Sequence, residues 1–449
     1  MTFLTLAVVC VASMVIWVRR PAEGLVAYLC VLCLYPQYLT VATGSIDWSA
    51  SRLLTVAFVI RYASRSMDPQ VLRLRWMDAL VLLAFVGGAV PHFFKDGIME
   101  TLERESGRFF DMVLAYGITR LALQTREDAY TLMKGMVLVG VPLAFLGVYQ
   151  TITGHNPYTW MREYSSLNLG PAEVEQRHGF YRSDSSFGNK ISFGLFFTMA
   201  WAMNAGLWFA QRKKPLTFVF RGVMLMAGAA SAMSSAPVFA LVSSAMFMAS
   251  FPMRRLWPYV ALGAVLSCAA IEVYSDRHFY HVLTRLAFDS STAFYRIELV
   301  EEALGGGMSG HWLLGYGYVS FEPGAPDLGF RWRHQDLANM YVGVLARSGL
   351  MGVLPLLLLN GFYYWTLYRA GRSARGVHDK WTIWCITAGL LGWNVAMMTV
   401  GALEQTNQIM YIIIALAGVS RIVFAPKQEA EEPEHEQPPT LVRPRAVRS

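Results

Sequence analysis

The sequence predicts an all-α protein, a polytopic membrane helical bundle of about thirteen spans with a large late extracytoplasmic loop that itself contains helices. Three observations predict it. Of 449 residues, 55% are hydrophobic and 15% charged, where a soluble domain carries about 25% charged residues. Mean hydropathy is +0.36. The apolar residues also come in long blocks separated by short basic clusters. This pattern excludes a soluble enzyme, a disordered chain and a secreted disulfide scaffold. The net charge of +7 needs no nucleic-acid partner, because Lys and Arg gather on the cytoplasmic face of membrane proteins. All five cysteines lie inside apolar blocks, where a thiol acts as a small hydrophobe.

A span needs about 20 mostly apolar residues. The candidate blocks lie near 2–18, 24–43, 52–63, 76–92, 109–122, 130–152, 191–210, 216–232, 235–251, 256–275, 349–368, 382–400 and 407–424. The third and fifth are short. Residues 2–18 read as a first span rather than a signal peptide, since no basic segment precedes them and Arg19 and Arg20 follow. Alternate connections carry eighteen Lys and Arg, among them Arg19, Arg61, Arg75, Arg126, Lys134, Arg254 and Arg369. The other short loops carry four, namely Arg52, Lys95, Arg104 and Arg108. The asymmetry places the richer set in the cytoplasm, with the N-terminus outside and the C-terminus cytoplasmic. The expected organisation is one transmembrane domain over 1–424 and a disordered cytoplasmic tail over 425–449, whose Pro, Glu and Arg leave little to bury.

Two connections are long, 153–190 and 276–334, and both fall on the extracytoplasmic side. Long loops without structure of their own are usually functional. No Walker A, HExxH or GxSxG motif is present. Asp276, His278 and His281 crowd one short segment, which fits poorly around zinc. No metal and no cofactor are expected.

The first long loop ends "FYRSDSSFGNKISFGLFF". The second contains "STAFYRIELVEEAL" and "WLLGYGYVSF", then runs through "RWRHQDLANMYVGVLARSGLMGVL". In order, these hold Arg182, Phe187 and Asn189; Tyr295, Arg296, Leu299 and Ala303–Leu304; Gly315 and Gly317; and Asn339, Tyr341, Gly349–Leu350 and Gly352. The chain in this respect resembles the O-antigen ligase and polysaccharide polymerase superfamily of bacterial membrane glycosyltransferases. The likeness covers about 180–355 in detail and the remainder by span layout. Three positions depart from it: Ala338 stands where many ligases have His, Ser235 where a later span often has Arg, and "FGNK" replaces the usual His/Pro-Asn ending. The Asp336–Tyr341 segment is closer to polymerase-type members.

The resemblance implies a bacterial inner-membrane enzyme of exopolysaccharide or O-antigen biosynthesis. It would transfer a glycan from a polyprenyl diphosphate to an acceptor hydroxyl outside the cytoplasm, inverting the anomeric carbon. Its partners would be a polyprenyl-diphosphate-linked oligosaccharide, a glycan or lipid acceptor, membrane lipid and other polysaccharide-assembly proteins. A departing diphosphate needs charge stabilisation, and guanidinium groups supply it without a metal. Arg296 is the implied catalytic cation and Arg182 the implied substrate clamp. Arg331, Arg333 and Arg347 support them, and Asn339 and Tyr341 lie on the substrate side. His334 is the candidate general base, with Asp336 or Glu298 able to substitute.

Each assignment has a structural alternative. Arg296 has Glu298, Glu301 and Glu302 nearby to pair with, and Arg182 has Asp184. Asp336 suits a helix N-cap, and Asn339 suits a structural role. Trp332, between Arg331 and Arg333, suits an interfacial anchor. A transporter or flippase of lipid-linked glycans is the alternative function. It predicts ionisable groups within spans and broken helices beside them.

Overall fold

The structure is a computed structural model that describes residues 2–43, 46–65, 69–165, 174–211, 214–275, 278, 281, 290–318, 320, 339–374, 376–401 and 405–424. In chain order its helices are α1 (Thr2–Val18), α2 (Pro21–Leu34), α3 (Ala50–Ala63), the short turn α4 (Pro69–Leu72), α5 (Trp76–Lys95), α6 (Ile98–Arg108) and α7 (Ala115–Ala122). They continue with α8 (Arg126–Thr153), the short turn α9 (Thr159–Arg162), α10 (Lys190–Gln211), α11 (Pro215–Ser231), α12 (Ser235–Ala249) and α13 (Trp257–Tyr274). The last are α14 (Ser290–Glu302), α15 (Met340–Ser373), α16 (Val377–Met397) and α17 (Gln405–Val423). Two antiparallel hairpins pair β1 (Val41–Thr43) with β2 (Ile46–Trp48) and β3 (Gln176–Arg177) with β4 (Phe180–Tyr181). Among the described residues, six helices are long and apolar enough to cross a membrane: α5, α8, α10, α13, α15 and α17. Helices α1, α2, α11 and α12 are apolar but shorter.

The expected segments need three corrections. The block 24–43 is not one helix, because α2 stops at Leu34. Pro36 follows, and a residue before proline is pushed out of the helical region. Tyr35 is extended accordingly (φ −107°, ψ 127°), and the chain turns into the β1–β2 hairpin. The block 109–122 is not a short isolated span. It continues α6 through a π-helical stretch, Phe109–Leu114, into α7, so most of the loop expected before it is helix. Finally, the block at 349 begins earlier, with α15 starting at Met340. Asn339 caps it, its side chain accepting from the amides of Tyr341 (3.0 Å) and Val342 (3.2 Å).

Helices α10 and α17 sit deepest, with most of their apolar windows enclosed. Helix α10 packs on α8, α11, α12 and α16, and α17 packs on α7 and α15. Close approach depends on small residues, as it does between helices in lipid. A Cβ on Gly87 of α5 would collide with the Met351 carbonyl of α15, and one on Gly392 of α16 with the Ala240 carbonyl of α12. Helix α13 is different: it is apolar, yet none of its residues is buried. A helix with apolar side chains all round and little protein about it belongs in hydrocarbon rather than in water.

Candidate functional site

The site is built around a break in α15. Gly349 has φ 61° and ψ −159°, which a residue with a Cβ adopts only with strain. The break frees backbone groups that a continuous helix would bond internally. The segment 312–317 satisfies them. Tyr316 N donates to Ala346 O (2.8 Å) and Gly317 N to Arg347 O (3.0 Å), while Leu350 N donates to Trp312 O (2.7 Å) and Met351 N to Leu313 O (3.2 Å). Gly315 and Gly317 have φ of 68° and 83°. A Cβ on Gly315 would meet the Arg347 backbone at 2.6 Å, and one on Gly317 would collide with Asp96. The "GYG" turn is thus the piece that can lie flat against a broken helix and a carboxylate.

Beside the break is a cavity of about 200 Å³. Arg108, Asp111, Tyr318, Asn339, Arg347, Ser348 and Asn407 bring polar groups to its wall. Tyr318 is the hub. Its amide donates to Asp96 Oδ2 (2.8 Å), its ring stacks on His92 with centroids 4.2 Å apart, and the guanidinium carbons of Arg104 and Arg347 lie 5.4 and 5.3 Å from its centroid. Arg108 is held by both oxygens of Glu105 at 2.9 Å, and Gly88 leaves it room, since a Cβ there would lie 2.5 Å from Arg108 Nη2. Burial pushes the Glu105 carboxyl up, against the pull of Arg108. Asp111 is paired with Arg52 (2.7 Å) and accepts from Gln408. His92 is fully buried; its Nδ1 faces Asp96 Oδ2 at 3.0 Å and its Nε2 faces Ser348 Oγ at 3.0 Å.

Two of the expected site residues, Asn339 and Arg347, line this cavity. Tyr341 does not. Its hydroxyl accepts from Asn360 Nδ2 (3.1 Å) and lies 3.4 Å from Asn394 Oδ1, in a cluster with Tyr363 and Tyr364. The cause is helical geometry. Asn339, Gly343, Val344, Arg347 and Ser348 recur on one face of α15, and Tyr341 is about 200° round from Asn339.

Arg182 is not brought to the cavity either. Its Nη1 holds Glu175 Oε1 at 2.7 Å, and its Nε donates to Ala232 O (3.3 Å). Lys190 Nζ reaches the other oxygen of Glu175 at 2.7 Å. Partial burial acts to raise the Glu175 carboxyl, but the hydrogen bonds from Lys190 and Arg182 hold it at about 2. The neighbouring Ser183, Ser185 and Ser186 are buried. Gln150 organises the first two, accepting from Ser183 Oγ (2.9 Å) and Ser185 N (2.9 Å) and donating to Asp184 Oδ1 (2.8 Å), while Ser186 Oγ donates to Cys33 O. The stretch that carries Arg182 and Phe187 is therefore a packed plug.

Arg296 lies half-buried on α14 and is not among the described residues lining the cavity. Its neighbours Leu299 and Ala303 do pack on Tyr316, Val342 and Ala346, so α14 braces the broken end of α15 from outside. Helix α14 ends through a π turn at Ala303–Gly307, with Gly306 at φ 136°. Arg331, Arg333, His334 and Asp336 lie outside the described residues, as does the tail 425–449. Among the described residues no group of three or more His, Cys, Asp or Glu could hold a metal ion. His278 faces Glu272 (2.7 Å) and His281 faces Glu301 (3.1 Å).

Sequence reasoning missed His92, Asp96, Arg104, Arg108, Asp111 and Tyr318. One signal was available. Four basic residues, Arg52, Lys95, Arg104 and Arg108, stand in the segments expected as the loops where the charge asymmetry leaves few. Arg52, Arg104 and Arg108 make contacts at this site. Compared with known proteins, the chain matches no family model and no curated protein.

Proposed function

We propose that the chain is a membrane glycosyltransferase that moves a glycan from a polyprenyl diphosphate to an acceptor hydroxyl, as a polymerase or ligase, on the face opposite the basic clusters. The observation that carries this reading is the convergence of Arg108 and Arg347 on one cavity, with Arg104 beside them on the Tyr318 ring. Guanidinium pairs are suited to a diphosphate leaving group because they bind phosphate oxygens in a fork and stay charged. A cavity of about 200 Å³ suits the diphosphate and the sugar attached to it, with the polyprenyl chain in the bilayer. The motifs at Gly315, Gly317, Asn339 and Gly349 support the same reading, since Asn339 lines the cavity and the glycines make the contact between segment 312–317 and the broken helix beside it.

The test replaces Arg108 or Arg347 by Ala in cells lacking the native copy. Loss of long-chain glycan, with lipid-linked single units gathering on the outer face and normal protein levels in the membrane, supports transfer. Unchanged chain length in both variants defeats it.

A second reading, a transporter of lipid-linked glycans, is favoured by one observation: a broken helix at Gly349 beside the buried His92–Asp96 pair. It predicts that the single units gather on the inner face instead.

A further inference from the structure

We infer that Ser348, His92 and Asp96 form a proton relay that deprotonates the acceptor hydroxyl; the inference rests on the transferase reading. Asp96 is a carboxylate that accepts from the Tyr318 amide at 2.8 Å and faces His92 Nδ1 at 3.0 Å. A carboxylate can only accept, so Nδ1 carries the imidazole proton and Nε2 presents a lone pair. The group before that lone pair is Ser348 Oγ, 3.0 Å away. Ser348 therefore donates to His92, which leaves its own oxygen as an acceptor, and Ser348 lines the cavity.

Ser348 comes from 256 positions away from His92, while Asp96 lies one helical turn beyond it, and all three side chains are buried: His92 is inaccessible, Ser348 is 4% exposed and the Asp96 side chain 2%. The surroundings fix them. Tyr318 covers one face of the imidazole. Gly317 gives Asp96 the space a Cβ would take. The break at Gly349 follows Ser348 directly. The charged groups that act on the imidazole are Asp96, which caps the end of its helix, Arg108 from α6 and Arg347 from α15. The guanidiniums at the wall suit an anionic phosphate, so the relay's work is proton removal from a hydroxyl beside it.

In the step, the acceptor O–H proton passes to Ser348 Oγ as the serine proton passes to His92 Nε2. The acceptor oxygen bonds to the anomeric carbon. The bond from that carbon to the diphosphate oxygen breaks, and its electron pair leaves with the diphosphate, held by Arg108 and Arg347. Asp96 stabilises the imidazolium until the proton returns through Ser348 to the diphosphate or to water. No oxidant or further reactant is needed.

The experiment uses the full chain in membranes of cells lacking the native copy. Consumption of the endogenous lipid-linked glycan is followed in parallel with binding of undecaprenyl diphosphate to the purified protein. His92→Ala should lower consumption by about 10²–10⁴-fold with undecaprenyl diphosphate binding retained, which also shows that the variant is folded. Imidazole should restore part of the rate, and pyrrole, of the same shape without a basic nitrogen, should not. Ser348→Ala should fall with it. Equal rescue by both rings indicates packing and overturns the relay, as does a wild-type rate in His92→Ala or covalent capture of Ser348 by a fluorophosphonate, which would mark a nucleophile. Should Arg347→Ala lose diphosphate binding while His92→Ala turns over normally, the relay fails and the transferase reading stands. Should wild-type protein neither bind undecaprenyl diphosphate nor consume the glycan, both fail.

Discussion

Arg52 and Asp111 meet through two contacts at the cavity wall, Nη2 to Oδ2 at 2.7 Å and Nε to Oδ1 at 3.2 Å. Asp111 sits in the π-helical stretch between α6 and α7, a geometry that recurs at functional sites because it redirects a side chain by part of a turn. Gln408 on α17 also donates to Asp111, and Tyr28 on α2 donates to Gln408 Oε1 (3.1 Å). One carboxylate thus ties α2, α3 and α17 together. Arg52→Ala removes its only ionic partner among the described residues and should lower stability by about 2–3 kcal/mol, read by denaturant titration in detergent. Arg52→Lys, which keeps the charge but not the fork, should cost less.

Gly349→Ala tests the break in α15. The residue's φ is 61° and an added Cβ would collide with the Leu313 carbonyl. The conformation alone costs about 1–3 kcal/mol for a residue with a Cβ, and the collision adds to it. The variant should melt lower and lose glycan transfer. Gly361→Ala, farther along α15, is the control: its Cβ would meet nothing within 4 Å. It should be neutral or gain up to about 1 kcal/mol from helix propensity.

Gln150→Ala tests the plug that carries Arg182. The substitution leaves the buried Ser185 amide and Ser183 hydroxyl without the oxygen they share. An orphaned buried donor costs about 1–3 kcal/mol. The apparent melting temperature in detergent should fall, with undecaprenyl diphosphate binding retained because the cavity wall is elsewhere.

The Glu175 tether should be sensitive to acid. Its carboxyl is held at about 2 in the folded protein and titrates near its ordinary value of about 4.3 when unfolded. A depressed acid stabilises the fold above the unfolded value and loses that contribution as pH falls through the folded one. The β3–β4 hairpin should therefore become open to pepsin at Phe180 between about pH 4 and pH 2. Glu175→Gln should open it to chymotrypsin at neutral pH. A wild-type hairpin that resists pepsin equally at both ends of that window would refute the tether.

Much of the helical layout was legible in the residues. Apolar blocks mark the helices, whereas the cap at Asn339 and the stop before Pro36 came from the structure: Asp336 was the expected cap and 24–43 was expected as one block. Gly315, Gly317 and Gly349 were legible as a motif before their geometry was known. Tyr341 stands apart from the cavity because a motif written along the sequence does not say which helix face each letter occupies. The pairing of Arg182 with Glu175 was not visible locally because that partner lies across a hairpin. Arg108 was counted as a loop charge because nothing local distinguishes a cation beside water from one turned inward.

By itself, the sequence determined which segments are helical and apolar, where glycine permits a break, and where cations are rare enough to be conspicuous. The tertiary structure alone decided that His92 meets Ser348 across 256 positions and that Arg108 shares a cavity with Arg347. The reason is physical: hydrophobic periodicity specifies that a face is buried, while the partner it meets is selected by packing among many faces of similar composition.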